Sequence, residues 1–252
     1  MCSFNPFFPC LVPSNIESYP RARARHVSQL DSGKRIQYNS FPYHSVRGFS
    51  IETAGSFDRD TELAVWLKCY WMDGYPSNAI NQDLRKGRSD VVALQAYLCE
   101  QVIGAQDGRT VLEPGRTSAE AGTVASFLGF LKNDGVATDH AAVEKQLKTA
   151  PKILQNDEKV EACYKVGRDL ICYTTKRILV VNVQGITGKK VSYDTLPLRY
   201  CQAFKVTTAG NLLSEAKAKV YCEGCPDLRQ DLSKSSSDIW GVQKILAYKM
   251  LH

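Results

Sequence analysis

No stretch of this 252-residue chain approaches the run of about 18 apolar residues that a membrane-crossing helix requires. Nor does the N-terminus offer the continuous apolar core after a positive start that marks a signal peptide, because Pro6, Pro9 and Pro13 interrupt it. Histidine is scarce, with only His26, His44, His140 and His252, all widely spaced, so no histidine-based triad or zinc pattern stands out. Cysteine is not scarce: there are nine, an odd number without framework spacing. That pattern implies free thiols in a reducing compartment, and the cytoplasm is the expected location.

The remaining chemistry-bearing motifs are also incomplete. Gly185-Ile-Thr-Gly188-Lys189-Lys190 has two residues between its glycines and no following Ser or Thr. A phosphate loop needs four, then Lys and Ser or Thr, so a β-turn is expected here. Cys222-Glu-Gly-Cys225 lacks the second ligand pair of a structural zinc site, and a strand-to-strand connection is expected around it. Asp58, Asp60 and Glu62 form a short acidic cluster without the glycine of a calcium loop. No catalytic constellation, metal site or cofactor is expected.

What the chain does contain is an internal repeat. Gly33–Gly55 (GKRIQYNSFPYHSVRGFSIETAG) aligns without a gap with Gly188–Gly210 (GKKVSYDTLPLRYCQAFKVTTAG) at an offset of 155. Tyr38 meets Tyr193, Pro42 meets Pro197 and Phe49 meets Phe204. Further on, residues 85–104 align with residues 233–252 at an offset of 148, pairing Asp90 with Asp238 and Gln95 with Gln243. Two blocks in the same order identify two copies of one unit.

The second copy reads as seven short strands: Lys159–Val166, Asp169–Thr174, Arg177–Gln184, Lys189–Leu196, Gln202–Thr208, Ser214–Tyr221 and Leu228–Leu232. From Ser237 the apolar residues Ile239, Val242, Ile245, Leu246 and Met250 recur at helical spacing. Val91, Leu94, Tyr97, Leu98 and Val102 repeat that stripe in the first copy. Ala125–Leu131 and Ala141–Thr149 also look helical, with Asp139 as a cap. Tyr193, Pro197, Phe204, Ile178, Val180, Val242 and Leu246 are the expected core of the second copy.

The order Arg168-Asp169, Tyr173-Thr-Thr-Lys176-Arg177, then Gln184-Gly-Ile-Thr-Gly-Lys-Lys190 resembles the signature of the bacterial pleckstrin-homology (PH) domain family. Ser40-Phe-Pro-Tyr43 and Glu52–Leu63 are similar to its continuation. The second copy departs from the pattern at Tyr173, at Leu196-Pro-Leu198 and around Asn211. The resemblance implies mainly β modules, each a seven-stranded PH-like barrel or sandwich closed by a C-terminal helix, and a tendency to assemble into homo-oligomers. It implies no activity. The expected divisions are an irregular segment 1–32, a partial PH-like domain 33–104, a linker 105–124 and a PH-like domain 125–252.

Net charge is +6, and all of the excess lies beyond residue 107. Lys165, Arg168, Lys176, Arg177, Lys189 and Lys190 flank turns of the second copy; gathered at one end, they could hold an anionic headgroup. Arg21, Arg23 and Arg25 alternate with alanine and read as a flexible basic arm, with no aromatic platform for nucleic acid. The leading expectation is a non-enzymatic interaction or scaffold module with a protein partner or with itself. The alternative is a peripheral module binding anionic lipid through its basic turns.

The first copy looks incomplete. The residues before Gly33 hold four prolines and lack the Arg-Asp and Thr-Lys-Arg motifs, so four strands and a helix are expected there. Such a half-module would leave an open edge and an apolar face of Phe49, Ile51, Val65 and Leu67, to be covered by the second copy or another chain.

Overall fold

In the computed structural model, residues 23–30, 35–53, 60–72, 75–85, 91–106, 139–149, 151–184, 190–208, 216–232 and 239–251 are described. The first copy supplies β1 (Arg23–Leu30), β2 (Arg35–Pro42), a 3-10 turn (Tyr43–Ser45), β3 (Val46–Glu52), β4 (Asp60–Met72), β5 (Tyr75–Arg85) and α1 (Val91–Gln106). Helix α2 (His140–Thr149) opens the second copy. It is followed by β6 (Val160–Val166), β7 (Asp169–Thr174), β8 (Arg177–Gln184) and β9 (Lys190–Pro197). A 3-10 turn (Leu198–Tyr200), β10 (Cys201–Thr207), β11 (Ala216–Cys222), β12 (Leu228–Leu232) and α3 (Ile239–Leu251) complete it.

The seven strands and the helix expected in the second copy are all present. Strand β8 shows why the pattern was readable. Its Leu179 and Val181 enter a core with Val143 and Leu147 of α2, while Ile178 and Val180 enter another with Val242 and Leu246 of α3. A strand buried on both faces must be apolar throughout. Asp139 caps α2 as expected, accepting from Ala141 N–H at 3.0 Å and Ala142 N–H at 3.4 Å. Of the expected core, Tyr193, Pro197, Ile178, Val180, Val242 and Leu246 are buried, and Phe204 is half-buried.

The fold is mainly β and sandwich-like, with an open sheet in place of a closed barrel. Strands β10-β11-β12 form one sheet against the α3-side face of β6–β9. The large sheet runs β5-β4-β3-β9-β8-β7-β6, so the two copies share it. Their join is antiparallel: Phe49 opposes Thr195, Ser50 opposes Asp194, Ile51 opposes Tyr193 and Glu52 opposes Ser192. Thus β9 continues into the first copy's β3 instead of curling toward its own β10.

Two expectations about the first copy need correction. The segment 1–32 is not wholly irregular, and Arg23 and Arg25 do not belong to a loose arm: Arg23–Leu30 pairs with Arg35–Pro42 over eight positions. Among the described residues the first copy therefore has five strands, not four, because β2 offers a hydrogen-bonding edge that a strand of modest apolar content can use. The apolar face is covered from within its own copy, with Phe49, Ile51, Val65 and Leu67 packing against Leu94, Leu98 and Val102 of α1. The second copy supplies the cover for the edge. Helix α1 extends to Gln106, two residues into the expected linker; the rest of that linker and Ala125–Leu131 lie outside the described residues.

Candidate interaction site at the junction of the two copies

The five described basic residues do not converge. In a meander of hairpins successive turns alternate between ends, so Lys165, Arg168 and Lys190 belong to one end of β7 and Lys176 and Arg177 to the other. Lys189 lies outside the described residues. Lys165 is half-buried and Arg168 exposed. Lys190 ion-pairs with Glu52 of the first copy. Lys176 Nζ donates to Asp157 Oδ1 at 2.9 Å and to Gln155 Oε1 at 2.8 Å. It lines a groove of about 590 Å³ with Asp157, Lys159, Arg199 and Ile103 of α1.

Arg177 is no surface cation at all. It is fully buried, and so is its partner Glu158. Its Nε donates to Glu158 Oε1 at 2.9 Å and its Nη2 donates to Ile153 O at 2.8 Å. Nη1 donates to Thr195 Oγ1 at 2.9 Å, and that oxygen also accepts from Gln95 Nε2 of α1 at 3.2 Å. Burying a charge is tolerable only when it is paired and hydrogen-bonded. The guanidinium therefore serves as a structural tie that reaches, through Thr195, into the first copy.

A second tie lies where the two 3-10 turns meet. Arg47, at the start of β3, is 7% exposed, and its guanidinium carbon sits 4.1 Å from the Tyr200 ring centroid. Arg47 Nη1 donates to His44 O at 3.2 Å, and Tyr200 OH donates to the same oxygen at 3.3 Å. Gly224 closes the other side with φ of +74°, and a Cβ there would stand 2.9 Å from Arg47 Cγ. Both the conformation and the close approach require glycine. The Cys-Glu-Gly-Cys stretch is thus the β11–β12 connection, as expected, folded over Arg47. Among the described residues no group of three or more His, Cys, Asp or Glu is arranged to hold a metal ion.

Beyond these ties, equivalent elements of the two copies differ in how they are covered. Strand β3 lies between β4 and β9, whereas β10, its equivalent at an offset of 155, borders only β11 among the described residues. Phe49 and Ile51 are completely buried, but their equivalents Phe204 and Val206 are half-buried. On α1, Gln95 and Cys99 are fully buried and Ile103 is 2% exposed. Their equivalents on α3, Gln243 and Ala247, are half-buried, and Leu251 is 75% exposed. Trp240 and Tyr248 add exposed aromatic surface to the same helix. Reading the repeat for likeness matched these positions, and only their burial reveals the difference.

A Bacillus subtilis (strain 168) protein described as "Uncharacterized protein YjqA" is 37% identical over 123 residues, 48% of this chain and 95% of its own length. A pleckstrin homology domain from Shewanella amazonensis SB2B matches with 33% identity and a TM-score of 0.41, covering 50% of this chain and 99% of that one. A DUF1696 family protein with a pleckstrin-homology domain from Shewanella loihica PV-4 matches with 32% identity and a TM-score of 0.40, covering 44% and 93%. The family model for the bacterial PH domain matches residues 27–102 and 129–250, most of the chain and both copies, and the chain belongs to that family.

Proposed function

We propose that the chain is a non-enzymatic interaction module that joins copies of itself by strand addition. The observation that carries this reading is the contrast between β3–α1, buried beside β9, and β10–α3, the same pair left open. The repeat also names the occupant: β9 corresponds to β2, whose one strand partner among the described residues is β1. Carrying the β3–β9 register over by 155 residues sets Phe204 opposite Ser40, Lys205 opposite Asn39, Val206 opposite Tyr38 and Thr207 opposite Gln37 of the next chain. Edge addition of this kind takes its affinity from main-chain hydrogen bonds. Because the two surfaces differ, the contact is head-to-tail and builds rings or open filaments.

Sedimentation velocity on the full chain tests this. A whole multiple of the chain's mass is expected, together with dissociation to monomer in Leu251→Lys, whose exposed position leaves the fold intact by circular dichroism. A wild-type chain that stays monomeric, or an assembly untouched by Leu251→Lys, overturns it. A monomer that binds acidic vesicles in a salt-sensitive way would favour the anionic-lipid alternative.

A further inference from the structure

Three thiols meet beside the Arg47–Tyr200 stack, at the start of β10 and outside the Phe204–Thr207 stretch that the assembly register uses. Cys201 opens β10 and Cys222 ends β11, directly opposite each other in the register. Glu223 N–H donates to Tyr200 O at 2.8 Å, just outside the pair, which makes Cys201–Cys222 a non-hydrogen-bonded pair. Such pairs bring their Cα atoms to about 4.5 Å, at the short end of the span that a disulfide bridges. The two sulfurs are 3.9 Å apart, so side-chain rotation without backbone rearrangement closes the gap. Both residues are half-buried, within reach of a small molecule, whereas Cys225 is 8% exposed.

We propose that Cys201 and Cys222 form a reversible cross-strand disulfide, with a low-molecular-weight disulfide as the oxidant. Cys222 is the attacking thiol. Hydrogen bonds from Cys201 and then from Cys225 hold it below the usual thiol range, against the opposing effect of burial. The Cys222 thiolate displaces one half of the small disulfide as a thiol and forms a mixed disulfide. Cys201 gives its proton to solvent and attacks the Cys222 sulfur, and the second half leaves as thiol. Two protein thiols and one small disulfide become one protein disulfide and two small thiols. The link would lock the bulged start of β10 to β11, next to the contact between the copies.

The experiment treats the full chain with oxidised glutathione, blocks the remaining thiols and digests with trypsin without reduction. Cleavage after Arg199, Lys205, Lys219 and Arg229 puts Cys201 on one peptide and both Cys222 and Cys225 on another. The expected product is these two peptides joined through Cys201 and Cys222, with Cys225 carrying the blocking group. It has two hydrogen atoms fewer than the unjoined pair blocked at Cys225 alone, is separated by dithiothreitol and is retained in Cys225→Ser. Recovery of a bridge confined to the Cys222–Cys225 peptide, of a lasting glutathione adduct, or of unmodified thiols overturns the proposal.

Discussion

At the scale of single residues, burial changes what a charged side chain does. Arg177 reads in sequence as a turn cation beside Lys176, and the two have opposite fates: Lys176 reaches Asp157 near the surface while Arg177 turns inward to Glu158. Which of two adjacent basic residues points into a core depends on the pleat and on where a partner carboxylate lies, and composition carries neither. Glu158 sits 19 residues upstream of Arg177, outside any local pattern. Arg177→Ala should strip the buried carboxylate of its partner and lower stability by about 3–5 kcal/mol, whereas replacing both partners with apolar residues of similar size should recover much of that loss. Urea unfolding of the single and double variants measures both. Equal losses in the two would mean that the pair stabilises by more than mutual neutralisation.

At the scale of elements, the strands of the second copy were legible because turn residues separate them in the sequence and all but β10 carry two or more buried side chains. The 155-residue offset was equally informative: it carries Arg35–Pro42 onto Lys190–Pro197, Tyr43–Ser45 onto Leu198–Tyr200 and Val46–Glu52 onto Cys201–Thr207. Strand β1 was missed. It occupies the place of β8, Arg23 opposing Pro42 as Arg177 opposes Pro197, but it does so at an offset of 154. Moreover, Ala24-Arg-His26 stands where Ile178-Leu-Val180 supplies the apolar run. The β3–β9 join also contains a half-buried acid. Asp194 accepts from Ser50 Oγ and from Asn182 Nδ2, the latter at 2.9 Å, yet burial raises its pKa above the ordinary 3.8. A carboxyl group whose folded pKa is raised opposes folding while ionised, and that penalty fades as pH falls through the folded pKa. The stability of Asp194→Asn relative to wild type should therefore be greater at about pH 7 than at about pH 4. Chemical unfolding at the two pH values decides it, and a difference that does not change with pH would count against burial as the governing effect.

At the scale of the whole molecule, the two copies are not separate beads. The first contributes β3 to the edge of the second's sheet, and Gln95, Arg47 and Glu52 each bond, stack or ion-pair with the second copy. Residues 23–106 expressed alone would expose the edge of β3 and lose those partners, and should be poorly soluble without a cooperative unfolding transition. A soluble fragment that unfolds cooperatively would show that the first copy folds by itself. The sequence alone determined the repeat, the β-rich family, and the seven strands and closing helix of the second copy. These follow from local periodicity, turn chemistry and self-similarity, which need no knowledge of neighbours in space. Only the tertiary structure decided that Arg177 is internal, that β9 continues into β3, and that β10 and α3 keep open the surface their counterparts bury. Two nearly equivalent edges compete for one partner within the chain, and β3 takes it through long-range register and packing that no local pattern encodes.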